Sequence, residues 1–176
     1  LAIGSGAAAQ ETVAVASGTL GAVPSGWTDG FVWTNGIRIH YWRTGGDKPV
    51  MVLAHGSSDD GRCWANLANK LPPNYDLILM DARGHGLSDP PSASDPVDAQ
   101  TEDLAGLIRE LKIEKPILMG HSMGSASVAW LAAKYPEIPK AVVLEDPRLI
   151  PRTGGSTRAA PTPSHEEQRA AIIRKN

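Results

Sequence analysis

The sequence predicts an α/β fold in which a mostly parallel sheet is flanked by helices. Apolar runs of strand length alternate with helical stripes, an order that builds a parallel sheet through right-handed crossovers. An Asn-Gly pair between two β-rich runs marks a hairpin ahead of that series. A Gly-x-Ser-x-Gly run follows one apolar stretch and opens into a helical pattern, the strand-turn-helix context of a nucleophile elbow.

Composition narrows the field before any element is placed. The 176 residues carry a formal charge of -2 and are 41% hydrophobic, which suits one globular unit of ordinary polarity. Near-neutral charge gives no electrostatic case for a nucleic-acid partner. No run of about 18 apolar residues exists, so no membrane-spanning helix is expected. Cys63 is the single cysteine and has no internal disulfide partner, so the thiol count does not fix the compartment.

Residues 1–26 begin at Leu1 and are rich in alanine, glycine and serine, with Glu11 their only charge. They are expected to form a flexible extension or a processing remnant. Ala7-Ala8-Ala9-Gln10 fits the small-residue end of a secretory signal, but no basic segment or sufficient apolar core precedes it. A secreted or periplasmic location and a cytoplasmic one both stay open.

The elements then follow in order. Phe31-Val32-Trp33-Thr34 and Ile37-Arg38-Ile39-His40-Tyr41-Trp42 flank Asn35-Gly36, and both turn residues tolerate the positive φ of a type I′ hairpin. His40, inside the second strand, is expected to be a surface or packing residue, since no metal-ligating partner stands at ligand spacing. Pro49-Val50-Met51-Val52-Leu53-Ala54 reads as a strand buried on both faces and ends in His55-Gly56-Ser57. Glycine there permits a sharp turn, and the next residue can aim its N–H into the crevice above the sheet. Trp64, Leu67, Ala68 and Leu71 keep helical spacing until Pro72-Pro73 stops it.

Leu77-Ile78-Leu79-Met80 is a second buried strand, and it runs into Asp81-Ala82-Arg83-Gly84-His85-Gly86-Leu87-Ser88. Asp81 and Arg83 are expected to pair and brace this loop while the glycines make its turns. Val97, Leu104, Leu107, Ile108 and Leu111 form the stripe of an amphipathic helix, with Glu102, Asp103, Arg109 and Glu110 mostly off it. Pro116-Ile117-Leu118-Met119 leads into Gly120-His121-Ser122-Met123-Gly124, where Ser122 is expected on a strained turn at a helix N-terminus. Ala141-Val142-Val143-Leu144 is read as a further buried strand, ending in Glu145-Asp146-Pro147. Sites in such sheets lie at the carboxyl ends of the strands, so Ser57, Asp81, Ser122 and Asp146 are expected to converge there.

At this point the chain resembles the α/β-hydrolase superfamily. His55-Gly56-Ser57, the loop from Asp81 to Ser88, Gly120-His121-Ser122-Met123-Gly124 and the strand ending at Asp146 carry the likeness, in family order and spacing over residues 31–147. It is similar to esterase, lactonase, haloperoxidase-like and carbon-carbon bond hydrolase branches. The resemblance implies a Ser-His-acid hydrolase without a cofactor, with Ser122 as nucleophile and the N–H groups of Ser57 and Met123 as the oxyanion hole. Serine at 122, where related dehalogenases and epoxide hydrolases carry aspartate, argues against those two chemistries. Asp146 is the candidate acid, its other reading being a strand-end turn residue, and Glu145 has a weaker claim because it points to the other side of the strand.

One departure from that pattern shapes the functional expectation. The family order places the histidine downstream of the serine, and the only histidine after Ser122 is His165, in a segment that looks like the start of a cap helix. The reading is therefore of an N-terminal part of a hydrolase, active on an ester or lactone once a C-terminal portion supplies the histidine, either as a complementary polypeptide of the same precursor or as the rest of a longer chain. Residues 27–150 are taken as the N-terminal part of the core and 151–176 as a linker and the start of the cap, with a cleavable loop over 151–163. The competing readings are a non-catalytic ligand-binding relative or inactive fragment, and a cofactor-free haloperoxidase or perhydrolase. Substrate identity is not legible; Trp64 and Trp130 suit core packing as well as a pocket.

Overall fold

The computed structural model describes residues 26–71 and 74–147. The expectations for the N-terminal extension, for Pro72-Pro73, for the 151–163 loop and for the segment around His165 lie outside the described residues.

Strands β1 (Thr28–Thr34) and β2 (Ile37–Arg43) form the hairpin, with Asn35 at φ 48° and Gly36 at φ 79° in its turn. Both angles are those a type I′ turn demands. Then come β3 (Val50–Ala54), a 3₁₀ turn (Gly61–Trp64), α1 (Ala65–Lys70), β4 (Asp76–Met80), α2 (Ala99–Glu110), β5 (Ile117–His121), α3 (Met123–Lys134) and β6 (Ala141–Glu145). They build one six-stranded sheet in the order β1-β2-β4-β3-β5-β6. The hairpin joins antiparallel, whereas β4, β3, β5 and β6 run parallel.

Strand alternation sorts the core into two layers. Val52 and Ala54 of β3, Ile78 and Met80 of β4 and Leu118 of β5 face α2 and α3, where Leu104, Leu107, Ile108, Val128 and Leu131 pack on them. Met51, Leu53, Leu77 and Leu79 point the other way, against Trp42 and Trp64. Register aligns Val52 with both Ile78 and Leu118, so the central strands end at one level and deliver their following loops to one rim.

Four expectations are corrected. β6 was expected to be buried, yet Val142 and Val143 are 41% and 44% exposed, because β6 is an edge of the sheet and its outer flank is uncovered among the described residues. Val97 does not join the helical stripe; it precedes α2 and is exposed. Asp103 is not off the stripe but fully buried on the inner face of α2. Finally, Asp81 and Arg83 brace the loop without pairing to each other. Arg83 grips Asp103 at 2.6 and 2.7 Å and also meets Asp95, while the Asp81 carboxylate turns to His40.

Candidate active site

The rim at the carboxyl ends of β3 and β5 is built around Ser122. It links β5 to α3 with φ 50° and ψ −105°, a backbone region that costs an L-residue on the order of 1–3 kcal/mol. The glycines on either side make that turn sterically feasible. A Cβ on Gly120 would strike the Gly124 backbone, and one on Gly124 would strike the Ala54 carbonyl. Ser122 is half-buried, and its hydroxyl makes no hydrogen bond among the described residues.

Hydrogen bonds fasten the turn to its neighbours. Ser122 N–H donates to the Glu145 carbonyl (2.9 Å), which ties the elbow to the end of β6 one residue before Asp146. Ser125 Oγ, fully buried, lies 2.5 Å from the Gly120 carbonyl and 2.7 Å from that of Glu145. Sequence reasoning missed Ser125, although a serine three residues beyond Ser122 falls on the same helix face. Gly124 N–H donates to the His55 carbonyl (3.1 Å), so the first turn of α3 is clamped to the loop after β3.

That loop carries Ser57. The Gly56 carbonyl accepts from Asp59 N–H at 3.2 Å, closing a tight turn in which the Ser57 N–H is left without a partner among the described residues. The N–H of Met123, at the start of α3, is likewise unpaired among the described residues, as the first amides of a helix are unless something caps them. Two imidazoles pack beneath, His55 and His85, with ring centroids 5.0 Å apart. His85 spans from the Arg83 carbonyl (2.9 Å) to the Ser57 carbonyl (3.0 Å). Burial pushes the His55 ring below its ordinary value.

Asp81 follows β4 but offers no chemistry to the rim. Its buried carboxylate accepts from Gly61 N–H (2.6 Å), Leu87 N–H (2.9 Å) and His40 Nδ1–H (2.9 Å). Burial raises this carboxyl, but the His40 bond and charge and the two backbone donors outweigh it and hold Asp81 below the usual carboxylate range. His40 is fully buried between Asp81 and Asp29, so its place is in packing rather than on the surface. Asp146 follows β6 with φ 46° and an exposed side chain that has no hydrogen bond among the described residues. Trp64 sits in the core and Trp130 on the surface. No cluster of metal-ligating side chains occurs among the described residues.

A family model described as the alpha/beta hydrolase fold matches residues 49–175. The chain belongs to this family. The hydrolase-fold chain is 38% identical over 104 residues to 2-(acetamidomethylene)succinate hydrolase of Mesorhizobium japonicum, covering 59% of itself and 37% of that protein. With N-formylmaleamate deformylase of Pseudomonas putida it shares 34% identity over 134 residues, 76% of itself and 49% of the relative. The crystal structure of epoxide hydrolase A from Mycobacterium thermoresistibile matches with a TM-score of 0.62 at 30% identity, over 67% of this chain and 38% of that one. The hydrolase-fold chain thus spans less than half the length of these relatives.

Proposed function

We propose that this chain carries the nucleophile and oxyanion hole of a serine hydrolase that cleaves an ester or lactone through an acyl-enzyme. Ser122 attacks the carbonyl carbon, and the N–H groups of Ser57 and Met123 take the developing oxyanion at the positive end of α3. A histidine removes the hydroxyl proton, returns it to the leaving group and then activates the water that releases the acid. Asp146 orients that histidine. Of the described histidines, His40, His55 and His85 are committed to other partners, and His121 lies against Gly56. His165 belongs to the segment read as the start of the cap, so the base is assigned to a C-terminal complementary portion of the same precursor.

The observation that carries this reading is the Ser122 hydroxyl, unpaired among the described residues, on a strained turn at the rim to which the Ser57 and Met123 N–H groups also belong. The relatives named for a deformylase and a succinate-derivative hydrolase fit acyl transfer to water. The epoxide-hydrolase likeness is set aside because residue 122 is serine, where the resemblance gives those enzymes aspartate.

A fluorophosphonate probe tests the reading. The histidine-completed protein should be labelled stoichiometrically at Ser122, and Ser122→Ala should abolish labelling; absence of reaction in that protein removes the hydrolase reading. An intact mass spectrum of the native protein, showing a longer chain or a second polypeptide with a strand-end histidine, tests the source of the base.

A further inference from the structure

We propose that His55 is a positioning residue for the acyl transfer: its Nδ1–H holds the Gly56 carbonyl, fixes the plane of the Gly56–Ser57 peptide and thereby aims the Ser57 N–H at the oxyanion. The inference rests on the reading that Ser57 supplies one of the two oxyanion donors.

The tautomer of His55 follows from its partners. Ala82 N–H lies 3.0 Å from Nε2, and a backbone N–H can only donate. Nε2 is therefore the bare nitrogen and Nδ1 carries the proton, 2.7 Å from the Gly56 carbonyl oxygen. The ring is 1% exposed, so water does not compete for either contact. Its depressed pKa agrees with a neutral ring that keeps Nε2 free to accept.

Peptide planarity turns that contact into control of the neighbouring donor. In a trans unit the C=O of Gly56 and the N–H of Ser57 lie in one plane and point in opposite directions, and no cis bond occurs among the described residues. Holding the oxygen therefore sets the direction of the hydrogen. The Asp59 N–H grips the same oxygen at 3.2 Å from a second side. The next carbonyl, that of Ser57, lies 3.0 Å from His85 Nε2. Gly56 packs closely against the end of β5: a Cβ added to it would stand 2.7 Å from His121 Nδ1. A donor bonded through its own carbonyl is also the more polarised one.

Two substitutions divide the contacts of the ring. The amide nitrogen of asparagine stands where Nδ1 stands and can still donate to Gly56; the amide oxygen of glutamine reaches the Nε2 position and can accept from Ala82 but releases Gly56. In the histidine-completed protein, burst acylation of Ser122 by p-nitrophenyl acetate should slow on the order of 10–100-fold in His55→Gln with KM little changed, since a misaimed oxyanion donor acts mainly in the transition state. His55→Asn should keep most of the rate even if it is the less stable variant. Equal losses in both, or a larger loss in Asn than in Gln, would overturn the proposal. Should either variant not fold, ring ¹⁵N shifts of the unmodified protein decide: an Nδ1–H tautomer for His55 supports the proposal and an Nε2–H tautomer overturns it. A parent protein that fluorophosphonate does not label removes the serine reading and this inference with it, an outcome distinct from rates that fail to separate Asn from Gln.

Discussion

The φ 50°, ψ −105° of Ser122 is the mirror image of a conformation every L-residue adopts easily, and glycine alone reaches it without strain. Relief of that strain is worth roughly 1–3 kcal/mol and is offset by about 0.5–1 kcal/mol of glycine backbone entropy. Urea unfolding should therefore show Ser122→Gly to be more stable than Ser122→Ala by about 1 kcal/mol, and an alanine variant that is the more stable would mean the turn is relaxed. His55 gives a pH dependence of defined sign. Burial depresses its folded pKa below the ordinary 6.5, so in the interval between the two values the unfolded chain binds more protons. Stability then falls as pH drops below about 6.5. The loss in unfolding free energy between pH 7.5 and 5.5 should be smaller in His55→Gln than in the parent; equal losses would assign the acid sensitivity elsewhere. Cys63 is a third case. Its side chain reaches the surface, yet desolvation by its neighbours and, after it, the Asp59, Asp60, Asp81 and Glu145 carboxylates push its thiol up to about 12. Alkylation by iodoacetamide at pH 8 should be slower in the folded protein than in urea, where the thiol returns to an ordinary value. Fast alkylation of the folded chain would contradict that environment.

At the scale of elements, local chemistry decided what the sequence could reveal. Asn35-Gly36 announces its hairpin because few residue pairs accept two positive φ angles, and the structure supplies both. The strand preceding Ser122 and the helix following it were legible for the same kind of reason, since period and glycine placement are local signals. Partners were not. Asp81 and Arg83 lie two residues apart, and proximity in sequence suggested a pair; the fold instead sends Arg83 to α2 and Asp81 to β2. The hint was Asp103 itself, a carboxylate beside Leu104 on an apolar helix face that only a buried cation would justify. Asp103 is fully buried, bound by both Nε and Nη2 of Arg83, and also accepts from Asn35 Nδ2 at 3.0 Å. Removing the arginine alone strands that charge. Arg83→Gln should cost about 3–5 kcal/mol in urea unfolding, whereas Arg83→Met combined with Asp103→Leu should recover most of the loss. A single variant within about 1 kcal/mol of the parent would show that water reaches Asp103.

Across the whole molecule, the rim of Ser57 and Ser122 was legible because a parallel sheet gathers its loops at one end whatever the helices do. The standing of β6 was not. Its apolar sequence reads as a strand covered on both faces, but coverage depends on which elements lie beside it, and that information is not in the strand. Among the described residues β6 is an edge with Val142 and Val143 exposed, and Trp130 of α3 is 58% exposed on the outer layer. An open edge with flanking apolar side chains is a template for pairing with another chain. The 176-residue polypeptide, expressed by itself, should therefore self-associate with rising concentration in sedimentation velocity and bind a hydrophobic dye. Val143→Lys should shift the sedimentation profile toward monomer, because a charge on an edge strand resists pairing. Leu144 is not the right position for that test, since it already packs against the buried layer and lysine there would damage the core. A polypeptide that stays monomeric and binds no dye across the same range would mean that the β6 flank is covered in solution, and Val143→Lys should then lower stability instead of association.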